Sequence, residues 1–138
     1  MTVTVRPVPA DYVAQTWPMV EGFIAKALKF GNGGDYSIEQ IRMAVASGSW
    51  LLLVAVDDDN KIHGAMTVSF INYPNDRVAF VTSTGGKGIC SAESLRQMKD
   101  IVKSMGATKV QAGGRPSMVR MLGRLGFRQR YMVVESRI

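Results

Sequence analysis

A glycine-rich loop between a strand and a helix is the feature that most constrains this chain. The loop covers residues 85–92 and reads Gly-Gly-Lys-Gly-Ile-Cys-Ser-Ala. Residues 77–84 before it have the composition of a strand, and residues 93–106 after it carry apolar side chains at helical spacing. This order directs backbone N–H groups and the positive end of a helix dipole at one point. The loop therefore predicts a site for an anion, most often a phosphate or pyrophosphate.

Four backbone N–H groups of the loop form the predicted cradle, those of Gly86, Gly88, Ile89 and Cys90. Glycine lets a ligand approach the backbone closely, and Lys87 adds a positive charge beside the cradle. The alternative is a structural glycine turn that binds no ligand. Both interpretations stay open at the level of the sequence.

Hydrophobic periodicity predicts a sheet flanked by helices. Strand patterns cover six segments: 2–8, 50–56, 61–71, 77–84, 108–112 and 127–138. Helical patterns cover 11–28, 37–47, 93–106 and 117–125, with a loop at 30–35. The strand at 108–112 follows a crossover helix and is predicted parallel to that at 77–84, while the three preceding strands form an antiparallel meander. The predicted fold class is α/β (α+β), a single mixed, mostly antiparallel sheet with helices on both faces, in one domain spanning residues 1–138.

Composition narrows the class of protein. No apolar run approaches the length of a membrane span, and the N-terminus lacks the apolar segment of a signal peptide. We therefore expect no membrane association and a cytoplasmic location. One cysteine and one histidine are too few for a cysteine cluster or a zinc site, so no metal is expected.

The C-terminal quarter of the chain is basic. The formal net charge of the chain is +6, which favours anionic ligands in general. The basic cluster considered consists of Arg115, Arg120, Arg124, Arg128 and Arg130. Such a cluster binds cofactor phosphates, nucleic acid or an acidic partner, or is a solvated face. Few aromatic residues alternate with the arginines, so nucleic acid is the least favoured partner.

The order of elements and two motifs resemble the GNAT (Gcn5-related N-acetyltransferase) superfamily. Residues 85–92 are similar to the loop with which that family binds the pyrophosphate of acetyl-CoA. Gly88 stands on its first required glycine and Cys90 on its second small position, while Gly85 replaces the usual Arg or Gln. Residues 115–127 are similar to the family's C-terminal helix with its Leu-Gly-Phe ending. The resemblance implies the GNAT fold, acetyl-CoA as cofactor, and acetyl transfer to a primary amine of a small molecule or peptide.

The resemblance also implies where the cofactor lies. Backbone N–H groups from Val81 to Ser83 would hold the pantetheine arm and polarise the thioester carbonyl. Arg115 stands where the family often has an asparagine that contacts the cofactor. Tyr131 follows the Leu-Gly-Phe ending and is the candidate to carry a proton at the acyl centre; the alternative is a tyrosine that only packs.

Two departures from the family weigh against catalysis. Leu122 stands where the family often has a tyrosine that protonates the leaving thiolate, and leucine has no such proton. The strand at 77–84 contains no Asp or Glu to serve as a base. The alternative is a non-catalytic protein of the same fold. The turn at 73–77 and the Gly-Arg-Pro approach to the last helix are similar to small phage-encoded GNAT-like proteins. That similarity implies a protein partner in virion assembly and a place in the host cytoplasm or the virion.

Two side chains have both a catalytic and a structural interpretation. Cys90, at the start of the predicted helix, is a nucleophile or a small residue packed under the loop. His63, in the meander, is a base or a hydrogen-bonded neutral residue. The sequence favours the structural interpretation of both residues, because no second histidine is present to form a catalytic dyad.

Overall fold

Five strands and four α-helices make up the computed structural model of the chain, which describes residues 2–29 and 34–138. The strands are β1 (Thr4–Val8), β2 (Leu51–Val56), β3 (Ile62–Asn72), β4 (Arg77–Gly86) and β5 (Lys109–Ala112). The helices are α1 (Val13–Leu28), α2 (Ile38–Ala46), α3 (Ala92–Ser104) and α4 (Pro116–Gly123), and a short 3₁₀ turn (Ala10–Tyr12) precedes α1. None of the described helices has the length and apolar character needed to cross a membrane.

The strands form one mixed sheet in the order β1-β2-β3-β4-β5. Neighbouring strands from β1 to β4 are antiparallel, and β5 runs parallel to β4. The parallel pair arises because α3 carries the chain back along the sheet before β5 begins. Helices cover both faces of the sheet. The predicted mixed, mostly antiparallel sheet with helices on both faces is therefore confirmed.

Alternation along β2 assigns its side chains to two hydrophobic cores. Leu52, Val54 and Val56 pack with α1 and α2, in what we call the α1–α2 core. Leu53 and Ala55 point to the other face and pack with α3, in the α3 core. Successive side chains of a strand point to opposite faces. The unbroken apolar run of β2 is therefore buried on both sides, as its sequence predicts.

Local signals set the start of α2. The Ser37 hydroxyl accepts a hydrogen bond from the N–H of Gln40 at 3.2 Å, and the Gln40 side chain accepts one from the N–H of Ser37 at 2.9 Å. This is the predicted capping box. α1 begins at Val13, so Pro18 lies inside the helix and removes one of its backbone donors. The predicted loop at 30–35 lies mostly outside the described residues.

The prediction of a strand at 127–138 is wrong, because these residues have no regular secondary structure. Phe127 packs against the α3 core. A groove of about 670 Å³ lies between residues 127–130 and β5. A strand forms only beside a neighbour within hydrogen-bonding distance, and β5 does not reach this segment. Met132, Val133 and Val134 are consequently 80% exposed or more.

Candidate functional site

A β-bulge interrupts the pairing of β3 with β4 near the middle of β4. Val68 lies opposite Val81 and Thr67 lies opposite Ser83, so Thr82 is the extra residue. A bulge bends its strand and re-aims the residues that follow it. The bulge therefore sets the direction in which β4 runs toward the glycine loop.

Three buried hydroxyl groups hold the bulge. The Thr82 hydroxyl donates to the carbonyl oxygen of Thr67 at 3.0 Å, and its oxygen lies 2.8 Å from the hydroxyl oxygen of Thr67. The Thr67 hydroxyl oxygen lies 2.5 Å from that of Ser83. Because the hydroxyls bond to one another, they fix the backbone and are not presented to a ligand. Sequence reasoning missed Thr67 and Thr82; their signal was a threonine inside the apolar β3 and the Thr-Ser-Thr run of β4.

β4 and β5 pair only over part of β4. Their contact runs from Val78 to Val81, where Ala112 at the end of β5 lies opposite Val81. β4 continues to Gly86. In the part of the chain that the structure describes, residues 83–86 have no partner strand on the side facing β5. We call this stretch of backbone the open β4 edge.

The glycine loop continues from the open β4 edge and is anchored to β3. Gly86 and Gly88 have φ values of +88° and +77°, in the left-handed region that favours glycine. A Cβ on Gly86 would overlap the carbonyl oxygen of His63 and would lie 2.6 Å from the Cα of Gly64. The N–H of Lys87 donates to the carbonyl oxygen of His63 at 2.8 Å.

The predicted cradle is only partly available to a ligand. Gly86 pairs with Gly64 at the end of β4, which places it in the sheet. Within residues 2–29 and 34–138, no hydrogen bond uses the N–H groups of Gly88, Ile89 or Cys90. These three groups precede α3, whose N-terminus carries the positive end of the helix dipole. They remain the candidates for contact with an anion.

Packing beneath the loop fixes its shape. The Ile89 side chain is buried in the α3 core, so only its backbone can face a ligand. Ser91 caps α3 by accepting from the N–H of Ser94 at 3.1 Å. The Ser94 hydroxyl donates in turn to the carbonyl oxygen of Gly88. The half-buried Cys90 sulfur lies 3.3 Å from the hydroxyl oxygen of Thr84, an arrangement that fits a packed residue.

The remaining predicted cofactor residues lie along the open β4 edge or at α4. The side chain of Val81 packs against the α3 core, and Ser83 is buried in the hydroxyl cluster. Both would therefore meet a cofactor through their backbone. A Cβ on Gly85 would overlap the carbonyl oxygen of Phe23 in α1, so glycine is required there by packing. Arg115 is exposed at the N-cap position of α4.

His63 is held by the turn between β2 and β3. Its Nε2 donates to the Asp57 carboxylate at 2.8 Å. The hydrogen bond from His63, followed by one from the N–H of Lys61, holds the pKa of Asp57 below its usual range. This pairing fits the interpretation of His63 as a hydrogen-bonded residue better than its interpretation as a catalytic base.

The structure does not bring Tyr131 to the open β4 edge. Tyr131 is exposed and lines a pocket of about 180 Å³ with the turn at 73–76 and Val78. Val78 lies near the start of β4, three to five residues before the stretch 81–83 where the acyl centre is expected, or roughly 10 to 17 Å along the strand at about 3.3 Å per residue. Leu122 packs against the α3 core. The predicted proton role of Tyr131 therefore has no support from its position.

No metal site is evident among the described residues. They contain no group of three or more His, Cys, Asp and Glu side chains placed to hold a metal ion. The loop itself contains two titratable side chains, Lys87 and Cys90. Neither has an acidic partner in the part of the chain that the structure describes. The site is thus a backbone site with one cationic side chain.

The chain is similar to known proteins in three-dimensional structure. No family profile and no curated protein matches the chain. An aminoglycoside acetyltransferase from an uncultured soil metagenomic sample, crystallised with sisomicin, has a TM-score of 0.71 at 10% identity, covering 99% of this chain and 95% of that one. An aminoglycoside 6'-N-acetyltransferase from Acinetobacter baumannii has a TM-score of 0.65 at 16% identity, covering 99% and 98%. A predicted acetyltransferase from Clostridium acetobutylicum, solved with acetyl-CoA, has a TM-score of 0.67 at 11% identity, covering 99% and 96%. At these identities the likeness shows the fold alone.

Proposed function

Because the chain has the GNAT acetyltransferase fold, we propose that it is an N-acetyltransferase that uses acetyl-CoA and acts on a primary amine. The observation that carries this proposal is the open β4 edge leading directly into the glycine loop. A single continuous stretch of backbone thereby offers strand-edge hydrogen bonds and an anion site in succession. That order matches a cofactor with an amide-containing arm and a pyrophosphate.

The glycine loop fits a pyrophosphate on three counts. The left-handed glycine at 88 leaves no side chain between a ligand and the backbone. The N–H groups of Gly88, Ile89 and Cys90 are not used by the described residues. Lys87 is exposed beside them and supplies a positive charge. Backbone donors at a helix N-terminus are a general solution for binding phosphates.

The open β4 edge fits the pantetheine arm. Amides of an extended ligand pair with an unpaired strand edge as a further strand does. The hydroxyl cluster of Thr67, Thr82 and Ser83 keeps this edge rigid, which preserves the position of a bound carbonyl. When bound, acetyl-CoA supplies the acetyl group in activated form as a thioester. Backbone N–H groups along the open β4 edge would then polarise its carbonyl.

Among the residues that the structure describes, β4, α4 and residues 127–138 place no acid or base at this edge. β4 has no Asp or Glu, Leu122 belongs to the α3 core, and Tyr131 lies beside the turn before β4. Catalysis would rest on holding the amine and the thioester together. The amine must therefore arrive already neutral, and the rate should follow the fraction of neutral amine.

An acetyl-transfer assay tests the proposed function. The purified chain is incubated with acetyl-CoA and with sisomicin, spermidine or an N-terminal peptide, from about pH 6 to about pH 9. We expect slow transfer that rises across this range for an alkyl amine such as those of spermidine, whose pKa is about 10, and that levels off above about pH 8 for the peptide, whose α-amine has a pKa of about 8. Absence of transfer to every amine at every pH would contradict the catalytic proposal.

A second candidate is a GNAT-fold protein that binds CoA or a protein partner without catalysis. It is favoured by the packing of Leu122 into the α3 core, where the family's acid would stand. Binding of CoA without transfer would select it. The predicted partner in virion assembly and the predicted phage origin stay predictions from the sequence.

A further inference from the structure

Cationic side chains line both walls of the groove that lies between β5 and residues 127–130. The groove has a volume of about 670 Å³ and follows residues 107–111, or about 17 Å at 3.3 Å per residue. None of the described residues that line it is acidic. A cleft with walls of one charge concentrates ions of the opposite charge. Five side chains supply the positive charge: Lys99, Lys103, Lys109, Arg128 and Arg130.

The sequence around the groove offers these cations almost no acidic partner. Residues 101–134 contain seven Lys and Arg residues and no Asp or Glu. One carboxylate arrives from the turn before β4, where Asp76 pairs with Lys109 at 3.1 Å. Hydrogen bonds from Lys109 and then Thr108 lower the pKa of Asp76, so it stays ionised and neutralises Lys109. The other four cations of the groove form no salt bridge with the described residues.

The groove opens at one end onto the pocket of about 180 Å³ beside the turn that precedes β4. The two cavities share Lys109, Gln111 and Arg130, so they form one continuous surface. Tyr73 and Tyr131 line the pocket and are 51% and 64% exposed. The Arg130 guanidinium lies 5.4 Å from the centre of the Tyr131 ring. The fold thus places two exposed aromatic rings at the end of a cationic groove.

This combination of charge and rings distinguishes among anionic partners. A single strand of nucleic acid carries a negative charge on every phosphate and a flat base that stacks on aromatic side chains. An acidic peptide supplies carboxylates but no bases to stack. The sequence ranks nucleic acid last, because few aromatic residues alternate with the arginines. The fold reverses that ranking, since one of the two rings comes from the distant turn at 73–76.

We propose that the groove binds single-stranded nucleic acid, with phosphates along the cationic walls and bases stacked on Tyr73 and Tyr131. Binding should tolerate many sequences, because every base has a face that can stack. The groove and the pocket share no lining residue with the glycine loop or the open β4 edge. The strand and CoA therefore occupy separate sites, and the proposal does not depend on acetyl transfer.

Fluorescence anisotropy with a labelled single strand of about 12 nucleotides tests the proposal, using one sequence as RNA and as DNA. Four phosphate contacts should make the affinity fall roughly fiftyfold between about 50 and about 200 mM salt. The absence of binding by both strands at the lower salt concentration would overturn the proposal. So would a loss of less than about sevenfold, which is the loss that two contacts would give.

A pair of charge-reversal variants locates the binding surface. Lys103→Glu/Arg128→Glu reverses one exposed cation on each wall of the groove and should lower the affinity by about tenfold or more. The control Lys26→Glu/Lys61→Glu makes the same change in net charge at exposed residues of α1 and of the turn before β3. It should lower the affinity by about twofold. Equal losses in the two variants would place the strand outside the groove and refute the proposal.

Removal of the tyrosines separates a nucleic acid from an acidic peptide. Tyr73→Ala/Tyr131→Ala should weaken binding of the strand by about tenfold, whereas Tyr12→Ala, which removes a ring that is 53% exposed before α1, should not. Poly-glutamate of the same total charge should displace the strand poorly. The proposal fails if the double variant binds the strand as the native chain does. It also fails if poly-glutamate competes on equal terms, because the groove would then accept an acidic peptide.

Discussion

The backbone N–H of Lys87 donates a hydrogen bond to the carbonyl oxygen of His63, with 2.8 Å between nitrogen and oxygen. This bond ties the glycine loop to the start of β3. Because Lys87 uses its backbone for the anchor, its exposed side chain is left for a ligand. The structural and the binding contributions of Lys87 can therefore be separated by mutation.

Replacement of Lys87 by alanine should weaken CoA binding and leave the fold unchanged. A charged hydrogen bond to phosphate stabilises binding by about 1.5 to 3 kcal/mol. At an exposed site such as Lys87 the lower end of this range applies, because solvent screens the charge. We expect a roughly tenfold loss of CoA affinity by calorimetry. The control Lys61→Ala removes an exposed lysine from the turn before β3. Equal losses in the two variants would show that Lys87 acts only through net charge.

Replacement of Gly86 by alanine should destabilise the fold, because its left-handed backbone and the nearby His63 carbonyl leave no room for a Cβ. The cost should be about 1 to 3 kcal/mol in the free energy of unfolding. Gly22 is the matched control. It lies inside α1, and a methyl group added to its Cα would have no neighbouring atom within 4 Å, so Gly22→Ala should stabilise by about 0.5 to 1 kcal/mol. Urea unfolding measures both, and a neutral Gly86→Ala would contradict the described loop.

Sequence periodicity was sufficient to predict elements whose local pattern alone specifies them. The capping box at Ser37 and the unbroken apolar run of β2 are of this kind. The strand predicted at 127–138 failed because a strand needs a neighbour within hydrogen-bonding distance, and the described residues place none beside this segment. Position along the sequence likewise could not show that Tyr131 lies beside the turn before β4.

Most of the candidate site depends on register, which sequence does not reveal. The glycine loop was predictable from its flanking strand and helix. The bulge at Thr82 was not, because it is defined by which residue of β3 lies opposite. The same holds for the pairing of Gly86 with Gly64, which takes one of the four predicted N–H groups into the sheet.

Replacement of Thr67 by valine should destabilise the bulge. The Ser83 hydroxyl would lose its partner while staying buried, at a cost of about 1 to 3 kcal/mol. Thr16→Val is the control, because the Thr16 hydroxyl bonds at the exposed surface of α1 and should contribute about 0.5 kcal/mol or less. Thermal or urea unfolding provides the comparison. Similar costs for the two variants would contradict a structural role for the hydroxyl cluster.

The Asp57–His63 pair predicts a pH-dependent stability. Its hydrogen bonds lower the pKa of Asp57 in the folded chain, so its stabilisation is present above the ordinary value of 3.8 and is lost as the pH falls below it. Asp57→Asn should therefore be less stable than the native chain at neutral pH. The difference should shrink as the pH falls below about 4. Asp58→Asn is a control for substitution in the same turn; a gap for Asp57→Asn that stays constant with pH would contradict the assigned cause.

The central claim is that the glycine loop and the open β4 edge bind CoA. Calorimetric titration with CoA and with acetyl-CoA tests it most directly, because it measures binding without requiring turnover. We predict one site per chain with micromolar affinity for both ligands, weakened in Lys87→Ala and unchanged in Lys61→Ala. The absence of binding at millimolar ligand would contradict the account, since the glycine loop would then be a structural turn.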